Sequence, residues 1–325
     1  MALINTWLTD RFDLDLPVVA ATMAGVSDGR FVAAASSAGI LGGLGVSGAA
    51  TGDWITEQAL AAGERPYVIG LQLWGVAEHP DQLEATLAAR PAMVSLSFGD
   101  PTPYVDRCHE AGIVVACQVG TTAAARAAVD AGVDVVVARG GEGGGHGVDQ
   151  VATLPLLQSV LDVVDVPVLA AGGIASARGL AAVLAAGAAG AWIGTAFTTC
   201  AESTLPDGVV ALLANAAEDQ TSHSHVLDIA QRTGWPAEFG GRAVTNAFVE
   251  HWTGREDELA ADTDELARFA AARDDRDPEV LPVWAGQGAG LLDGQRRPIA
   301  DIVDDLAQAA DLLRAAGASV RAEVG

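Results

Sequence analysis

His146 lies in a glycine-rich segment that would let its side chain reach a ligand. Three glycines precede it and one follows it in ARGGEGGGHG at 138–147, and no amphipathic periodicity assigns this segment to a core. Imidazole exchanges a proton near neutral pH and is therefore well matched to general base catalysis. The pattern predicts that His146 removes a proton from a substrate. The alternative is a structural histidine whose ring nitrogens are hydrogen-bonded within the protein.

Two further glycine-containing turns favour a phosphate site. The segment AAGGI contains Gly172 and Gly173, and the segment WIGT ends in Gly194 and Thr195. Glycines let backbone N–H groups approach an anion closely, and the N-terminus of a following helix adds a favourable dipole. The two turns therefore predict a cup for a phosphate group. Tight turns without a ligand are the alternative.

The charge of the chain restricts its partners and its chemistry. The chain has 325 residues, of which 50% are hydrophobic and 18% charged, so it can bury a large core. A formal net charge of -24 opposes binding to nucleic acids and to anionic membranes. All 18 basic residues are arginine. The absence of lysine excludes Schiff-base enzymes, pyridoxal phosphate enzymes, Walker A nucleotide hydrolases and protein kinases.

Cysteine usage and the N-terminal residues predict a cytoplasmic protein. Cys108, Cys117 and Cys200 form no CxxC motif, and their odd number argues against a disulfide framework or a structural zinc site. The first residues, MALINTWLTDRFDLDLP, carry acids and lack the basic and apolar regions of a secretory signal. We therefore expect a reducing cytoplasm.

Three features are weaker indicators of function. The uncharged segment 179–201 is long enough to cross a membrane, but its composition and internal glycines indicate a helix, a turn and a strand. The segment GLGVSG at 43–48 matches the dinucleotide-binding pattern GxGxxG, yet it follows the second strand-like run rather than the first. His223 and His225 have a spacing that suits a metal, but no third ligand accompanies them. We place the two histidines in a surface loop and predict no metal site.

The larger architecture that positions these residues is a repeated alternation. Short apolar runs alternate with alanine-rich segments that begin at Ser, Thr or Asp and end at Gly, as helices do. Runs without polar alternation are typical of parallel strands covered on both faces. Eight runs with seven intervening helical segments predict an α/β protein with a (β/α)8 TIM barrel. The runs span 17–21, 39–46, 67–73, 92–98, 112–119, 133–140, 167–173 and 190–196.

The alternation stops after the eighth run, and this change predicts the domain organisation. We expect 1–199 to form the barrel through its eighth strand, 200–281 a mainly helical insertion, and 282–325 a glycine-rich loop and the final barrel helix. Apolar spacing over 299–317 indicates one long amphipathic helix. Active sites of such barrels lie at the carboxyl ends of the strands. The loop of His146 and both glycine turns fall there.

Four segments of the chain carry a family resemblance. They are MAG at 23–25, CQVGTTAAARAAVDAGVDVVVARGGEGGGHG at 117–147, PVLAAGGIASARGLAAVLAAGAAGAWIGTAF at 167–197, and AGQGAG at 285–290. With these motifs the chain resembles the nitronate monooxygenase family, formerly called 2-nitropropane dioxygenases, over most of its length. The resemblance implies FMN on a (β/α)8 barrel. It also implies oxidation of alkyl nitronates by O2 to a carbonyl compound and nitrite.

The resemblance assigns roles residue by residue. It implies that Met23 and Ala24 line the flavin ring, that Gln118 lies near it, and that His146 deprotonates neutral nitroalkanes. A nitronate is already deprotonated and would react without that step. The residues that the resemblance places around the ribityl phosphate are Gly144, Gly172, Gly173, Trp192, Ile193, Gly194 and Thr195.

Three positions depart from the family pattern. Thr22 stands where proline is usual, Gln72 where a flavin-contacting asparagine is common, and Arg139 where glutamine is usual. We keep Gln72 and Arg139 as expected cofactor contacts. Arg139 would place a permanent positive charge beside the flavin and stabilise the reduced anionic ring. The alternative is an arginine paired with a neighbouring carboxylate such as Glu142.

Other functions are compatible with the same motifs. One alternative is an FMN-dependent NAD(P)H oxidoreductase, of the enoyl-acyl carrier protein reductase or quinone reductase type. Acidic carrier proteins would meet like-charge repulsion from this chain, which disfavours the first type. A flavin-binding barrel without turnover is a further alternative, which His146 argues against. We expect a small-molecule substrate and O2 as partners, and homo-oligomerisation stays open.

Overall fold

A barrel of eight parallel strands forms the centre of the protein. The computed structural model describes residues 3–275, 277 and 280–319. Up to residue 193 the strands are β1 (Val18–Ala20), β2 (Gly42–Gly45), β3 (Tyr67–Gln72), β4 (Met93–Ser97), β5 (Val114–Val119), β6 (Val135–Arg139), β7 (Gly145–His146), β8 (Val168–Ala171) and β9 (Gly190–Ile193). All of these except β7 belong to the barrel, and each barrel strand lies within one predicted run.

The two ends of the sheet come together around the barrel axis. β1 pairs with β9, and a bridge between Val19 and Leu41 joins β1 to the chain just before β2. Two backbone hydrogen bonds accompany that bridge, from Ala20 to the carbonyl of Leu41 and from Leu41 to the carbonyl of Val18. The predicted (β/α)8 fold is therefore confirmed.

Helices connect the strands and begin at the capping residues expected from the sequence. Asp28, Thr121 and Ser176 each accept a hydrogen bond from the backbone N–H three residues further on. Such caps satisfy N–H groups that have no partner within the helix. The helices up to residue 198 are α1 (Trp7–Phe12), α2 (Gly29–Ser37), α3 (Gly52–Ala62), α4 (Leu73–Glu78), α5 (Asp81–Ala89), α6 (Thr102–Glu110), α7 (Thr122–Asp130), α8 (Thr153–Leu161), α9 (Ala177–Ala185) and α10 (Thr195–Thr198).

Alternate strand residues divide the apolar core into two clusters. Val19 and Val68 belong to the cluster inside the barrel, which also contains Leu8 and Phe12 of α1. Their strand neighbours belong to a larger cluster between the barrel and the surrounding helices. Successive side chains of a strand point to opposite faces of the sheet, which explains the division.

The segment after the barrel strands combines helices with a small sheet. Its elements are α11 (Asp207–Ala214), β10 (Thr221–Ser224), α12 (Val226–Gln231), β11 (Gly241–Val244), α13 (Ala247–Trp252), α14 (Glu256–Ala261) and α15 (Thr263–Asp274). β11 pairs antiparallel with β10 and with β7, the short strand that contains His146. A separate apolar cluster, which includes Phe248 and Phe269, packs within this segment. Residues 276, 278 and 279 of the predicted insertion lie outside the described residues.

The C-terminal part returns to the barrel. After the 3-10 helix η1 (Gln287–Leu291), two helices follow, α16 (Ile299–Ala307) and α17 (Ala309–Ser319). The prediction of one continuous helix over 299–317 was wrong, because the regular turn is interrupted at Gln308. Residues 320–325 of the predicted final segment lie outside the described residues. Within the part of the chain that is described, no helix is both long and apolar enough for a membrane span.

Candidate active site

A cavity of about 700 Å³ opens at the carboxyl ends of the barrel strands. This volume is typical of sites for cofactors and small substrates. Twelve of the thirteen residues predicted from the sequence line the cavity, and they come from the ends of six barrel strands and the loops that follow them. They are Met23, Ala24, Gln72, Gln118, Arg139, Gly144, His146, Gly172, Gly173, Trp192, Gly194 and Thr195.

Ile193 is the predicted residue whose side chain does not line the cavity. Only 1% of it is exposed, and it packs in the cluster between the strands and the helices. Trp192, the preceding residue of β9, packs inside the barrel. Because neighbouring strand residues face opposite ways, both side chains cannot reach the cavity. Any contact of Ile193 with the cofactor would therefore have to come from its backbone.

The turns after β8 and β9 present backbone donors to the cavity. Gly172 and Gly173 have φ angles of 106° and 68°, a conformation that other residues rarely adopt. Among the described residues, the N–H groups of Gly173 and Gly194 donate to no protein acceptor. The N-terminus of α9, capped by Ser176, follows the first turn. Free N–H groups and the positive end of a helix suit this wall to an anion.

The loop before η1 closes one side of the cavity. Gly286 donates its N–H to Oγ1 of Thr195 at 3.1 Å, and Gln287 donates to the carbonyl of Glu142 at 3.0 Å. A Cβ atom on Gly144 would lie 2.5 Å from the backbone nitrogen of Gly286. Glycine at position 144 therefore permits the close approach of the two loops.

Arg139 holds the glycine-rich loop that carries His146. Its guanidinium donates to the carbonyl oxygens of Gly143 at 2.6 Å, Gly145 at 2.8 Å and Val148 at 3.0 Å. Only 4% of Arg139 is exposed. Burial lowers the pKa of Arg139 to about 10, so the side chain remains charged at neutral pH.

Glu142 is not the direct partner of Arg139. One oxygen of the Glu142 carboxylate accepts from the backbone N–H and the hydroxyl of Thr153 at 2.7 and 2.6 Å. The alternative in which Arg139 pairs directly with Glu142 was therefore wrong. Arg139 lines the cavity, but its hydrogen bonds go to backbone carbonyls of its own loop.

The imidazole of His146 is held by a carboxylate and two indoles. Nε2 lies 2.8 Å from Oδ1 of Asp228. The ring stacks on Trp235 with centroids 3.6 Å apart and planes inclined by 4°, and the centroid of Trp284 is 4.6 Å away. The side chain of His146 is 10% exposed. The ring thus lies against the cavity in a fixed orientation rather than in solvent.

Sequence reasoning missed the three residues whose side chains contact the imidazole ring of His146. Asp228 and Trp235 lie more than eighty residues further along the chain, in and after α12, and Trp284 lies further still. The one signal for Asp228 is a single acid within the apolar stretch HVLDIA, where a buried carboxylate needs a specific partner. No local pattern indicates the stacking of Trp235 on a distant histidine.

Aromatic side chains form a wall around Trp235. Its ring lies 5.2 Å from Trp74 and 4.9 Å from Phe98, and Phe98 contacts Phe239. Phe98 follows β4 with a φ angle of 65°. For a residue other than glycine this conformation costs of the order of 1–3 kcal/mol and is often found at functional sites. The wall is apolar and therefore disfavours water near His146.

Two glutamines of the site are fixed by the protein itself. Nε2 of Gln118 donates to the carbonyl of His146 at 3.3 Å. Oε1 of Gln72 accepts from the backbone N–H of Gly48 at 2.9 Å. Oε1 of Gln118 and the NH2 group of Gln72 take no part in these two bonds. Both residues therefore keep hydrogen-bonding capacity toward the cavity that they line.

His223 does not lie in a surface loop, so that prediction was wrong. It lies on β10, where Nε2 donates to the carbonyl of Gly147 at 2.7 Å. Burial lowers the pKa of His223. Among the described residues, no group of three His, Cys, Asp or Glu is arranged to hold a metal ion.

The GxGxxG match at 43–48 serves the packing of the barrel. Cβ atoms on Gly43 and Gly45 would lie 2.2 Å from the carbonyl oxygen of Ala20 and 2.1 Å from the carbonyl carbon of Met23. The glycines therefore let β2 and the chain after β1 approach each other. No helix begins directly at this motif, since α3 starts at Gly52.

Comparison with known proteins identifies relatives over most of the chain. The family model for nitronate monooxygenase matches residues 70–309. A nitronate monooxygenase of Neurospora crassa is 34% identical over 264 residues, which are 75% of this chain and 68% of the relative. A dehydrogenase of a hydroxy-methyl-oxo-octahydroindene-carboxyl-CoA from Rhodococcus jostii is 36% identical over 68% of this chain. The match spans 63% of that relative's length.

Two solved structures share the whole fold. FabK from Thermotoga maritima superposes with a TM-score of 0.84 at 27% identity and covers 98% of this chain and 100% of its own. The nitroalkane oxidase from Streptomyces ansochromogenes superposes with a TM-score of 0.80 at 29% identity, covering 95% and 99%.

Proposed function

The chain belongs to the nitronate monooxygenase family of flavin-dependent oxidoreductases, and we propose that it binds FMN and oxidises alkyl nitronates with O2 to a carbonyl compound and nitrite. The observation that carries the proposal is the cavity at the barrel mouth. There a wall with free backbone N–H groups, a fixed histidine and an apolar wall face one volume of about 700 Å³. Relatives named nitronate monooxygenase and nitroalkane oxidase support the substrate class.

The residues of the cavity fit FMN. The free N–H groups of Gly173 and Gly194, with the N-terminus of α9, would hold the phosphate. Holding a phosphate through backbone donors suits a chain without lysine. Met23 and Ala24 would contact the ring system, with Gln72 able to hydrogen-bond its edge. Arg139 would supply a positive charge near the site.

The chemistry divides between the cofactor and the protein. When bound, the flavin supplies the two-electron oxidising group that reacts with substrate and with O2. His146 takes the proton from the carbon of a neutral nitroalkane, whereas a nitronate needs no such step. The wall of Trp74, Phe98 and Trp235 orients the alkyl part and keeps water away. These residues determine which carbon reaches the reactive ring.

Anaerobic mixing tests the reaction. We expect a nitronate to bleach the visible absorbance of the flavin-loaded protein, and in air we expect O2 consumption with release of nitrite. Bleaching by NADPH alone, with no response to a nitronate, would overturn the proposal. The same experiment addresses a second candidate, an FMN-dependent NAD(P)H oxidoreductase, which the relative named as a dehydrogenase favours.

A glycine substitution tests the placement of the cofactor. A Cβ atom on Gly194 would meet protein atoms only at 3.5 Å, an ordinary contact distance, so Gly194→Ala should fold normally. We expect its Kd for FMN to rise at least about tenfold, or about 1.4 kcal/mol, because the methyl group blocks close approach to the backbone. Gly208→Ala, at an open position of α11, is the control. Equal FMN affinity in wild type and both variants would refute the placement.

A further inference from the structure

We propose that Asp228 is a positioning residue for proton transfer, which keeps Nε2 of His146 protonated and leaves Nδ1 to accept a proton from the carbon of a neutral nitroalkane. This inference rests on the proposed function and extends it to a residue outside the barrel. It assigns a role to α12, an element of the insertion, in the reaction.

The geometry of the pair determines which nitrogen is basic. Oδ1 of Asp228 lies 2.8 Å from Nε2 of His146, and the hydroxyl of Thr233 donates to the same oxygen at 3.2 Å. An ionised carboxylate only accepts hydrogen bonds, so Nε2 must carry the hydrogen of this bond. A neutral imidazole then has its lone pair on Nδ1. The carboxylate therefore selects one tautomer.

Because Asp228 is buried, the energy of its carboxylate depends on whether the His146 ring is neutral or protonated. The side chain of Asp228 is 7% exposed, it lines the cavity, and its Oδ2 has no hydrogen-bond partner. A buried carboxylate with an unpaired oxygen is unfavourable while the imidazole is neutral. Once His146 takes a proton, the imidazolium compensates that negative charge. Asp228 thus stabilises the protonated product of the transfer more than the starting state, which favours the transfer.

Other charged groups near His146 do not contact its ring. Arg139 donates to carbonyls of the loop, and Arg242 lies on the paired strand β11 with its Nε bonded to the carbonyl of Gly141. His223 and Asp149 contact each other at 3.5 Å. Among the described side chains, Asp228 is the ionisable group within hydrogen-bonding distance of the imidazole. The effect on the ring is therefore assigned to Asp228.

The ring is also prevented from turning. Trp235 covers one face in a parallel stack at 3.6 Å, and Trp284 is tilted against the ring at 4.6 Å. A half turn of the ring would replace Nε2 by a carbon atom and break the bond to Asp228, and on the way the ring would have to leave the plane that stacks on Trp235. The same nitrogen is therefore presented in each catalytic cycle.

The proposed step balances without a further reagent. The C–H bond beside the nitro group breaks, its electron pair stays on the substrate to give the nitronate, and the proton goes to Nδ1 of His146. Asp228 stays ionised throughout. The nitronate is then oxidised in the proposed reaction with O2, and the proton leaves to solvent before the next cycle.

Asp228→Asn separates proton transfer from oxidation. Asparagine keeps the shape and one acceptor oxygen but removes the charge. With the flavin-loaded enzyme we expect the rate of anaerobic flavin reduction at saturating neutral nitroalkane to fall about 100-fold. Reduction by the preformed nitronate should stay within about twofold. Glu250→Gln, an exposed acid on α13 of the same segment, is the matched control and should change neither rate.

Each outcome decides one of the two proposals. Equal loss with both substrates, or no loss with the nitroalkane, would overturn the role of Asp228. Failure of the wild-type enzyme to react with either substrate would instead overturn the proposed function. Nitrogen-15 NMR of the wild-type holoprotein gives a readout that needs no variant. We expect the Nε2–H tautomer of His146, and finding the Nδ1–H tautomer would overturn the inference.

Discussion

Replacing Arg139 by glutamine removes a buried cation that ties together the loop of His146. In the native protein the guanidinium donates to the carbonyls of Gly143, Gly145 and Val148. Glutamine reaches less far and offers one amide group in place of the planar fork of donors. Most of these carbonyls would therefore lose their partner.

The expected loss of stability can be calculated from these three hydrogen bonds. A hydrogen bond to a charged donor contributes about 1.5–3 kcal/mol, and the glutamine amide can replace one of the three. Such values already include the desolvation of the charged donor. The loss of two bonds therefore predicts a decrease in the free energy of unfolding of about 3–6 kcal/mol. For a chain of this size that lowers Tm by about 4–9 °C.

The pH dependence provides an internal check. Burial lowers the pKa of Arg139 only to about 10, so the folded and unfolded states both carry the charge between about pH 6 and 8. Arg139 then binds the same number of protons in the folded and the unfolded state. The difference in Tm between wild type and variant should therefore be constant over that range.

Comparing the thermal unfolding of Arg139→Gln and Arg139→Lys distinguishes the contribution of the planar guanidinium donors from that of the positive charge. Both variants should lower Tm, because lysine is a point donor without the planar fork. Only the glutamine variant should make flavin reduction less favourable, as measured by the reduction potential of the bound flavin. Arg126→Gln, at an exposed position of α7, is the control. A Tm within about 1 °C of wild type for Arg139→Gln would refute the reasoning.

Three further substitutions probe the cavity. His146→Asn should abolish anaerobic flavin reduction by neutral nitroalkanes and spare preformed nitronates, and equal loss of both in stopped-flow traces would remove the base assignment. Trp235→Ala opens the apolar wall, so KM should rise for short nitronates and kcat/KM should improve for bulkier ones; an unchanged preference across chain lengths would count against the wall. Arg232 is exposed at the cavity rim, and Arg232→Gln should raise KM several-fold for anionic nitronates at low salt only. A similar rise for neutral nitroalkanes would contradict electrostatic attraction by Arg232.

Local patterns were sufficient to predict the barrel. Strands buried on both faces leave apolar runs, and caps such as Asp28 and Ser176 mark helix starts through bonds to residues three positions away. Both signals depend on near neighbours in the chain. The break at Gln308 was missed because apolar spacing continues across it.

Only the parts of the site that lie in the loops of the barrel could be predicted from the sequence. Loops at strand ends converge by the fold, so Gly173, Gly194 and His146 could be expected to face one cavity. Asp228 and Trp235 reach His146 through the pairing of β7 with β11, which joins segments about a hundred residues apart. The four polar residues of β10 lack apolar alternation, so the small sheet had no sequence signal. The partners of Arg139 are backbone carbonyls, which no residue type reveals.

Because β7 pairs with β11, the loop that carries His146 contributes one strand to the small sheet of the insertion. His146 is paired opposite Gly241, and the N–H of Gly147 donates to the carbonyl of Gly240. Deleting or exchanging residues 200–281 therefore alters the histidine's surroundings even when every barrel residue is retained. In chimeras that carry residues 200–281 of a relative, the preference for neutral nitroalkanes or for nitronates should match that of the relative. Substitutions confined to that segment should therefore change substrate specificity while the barrel itself is unchanged.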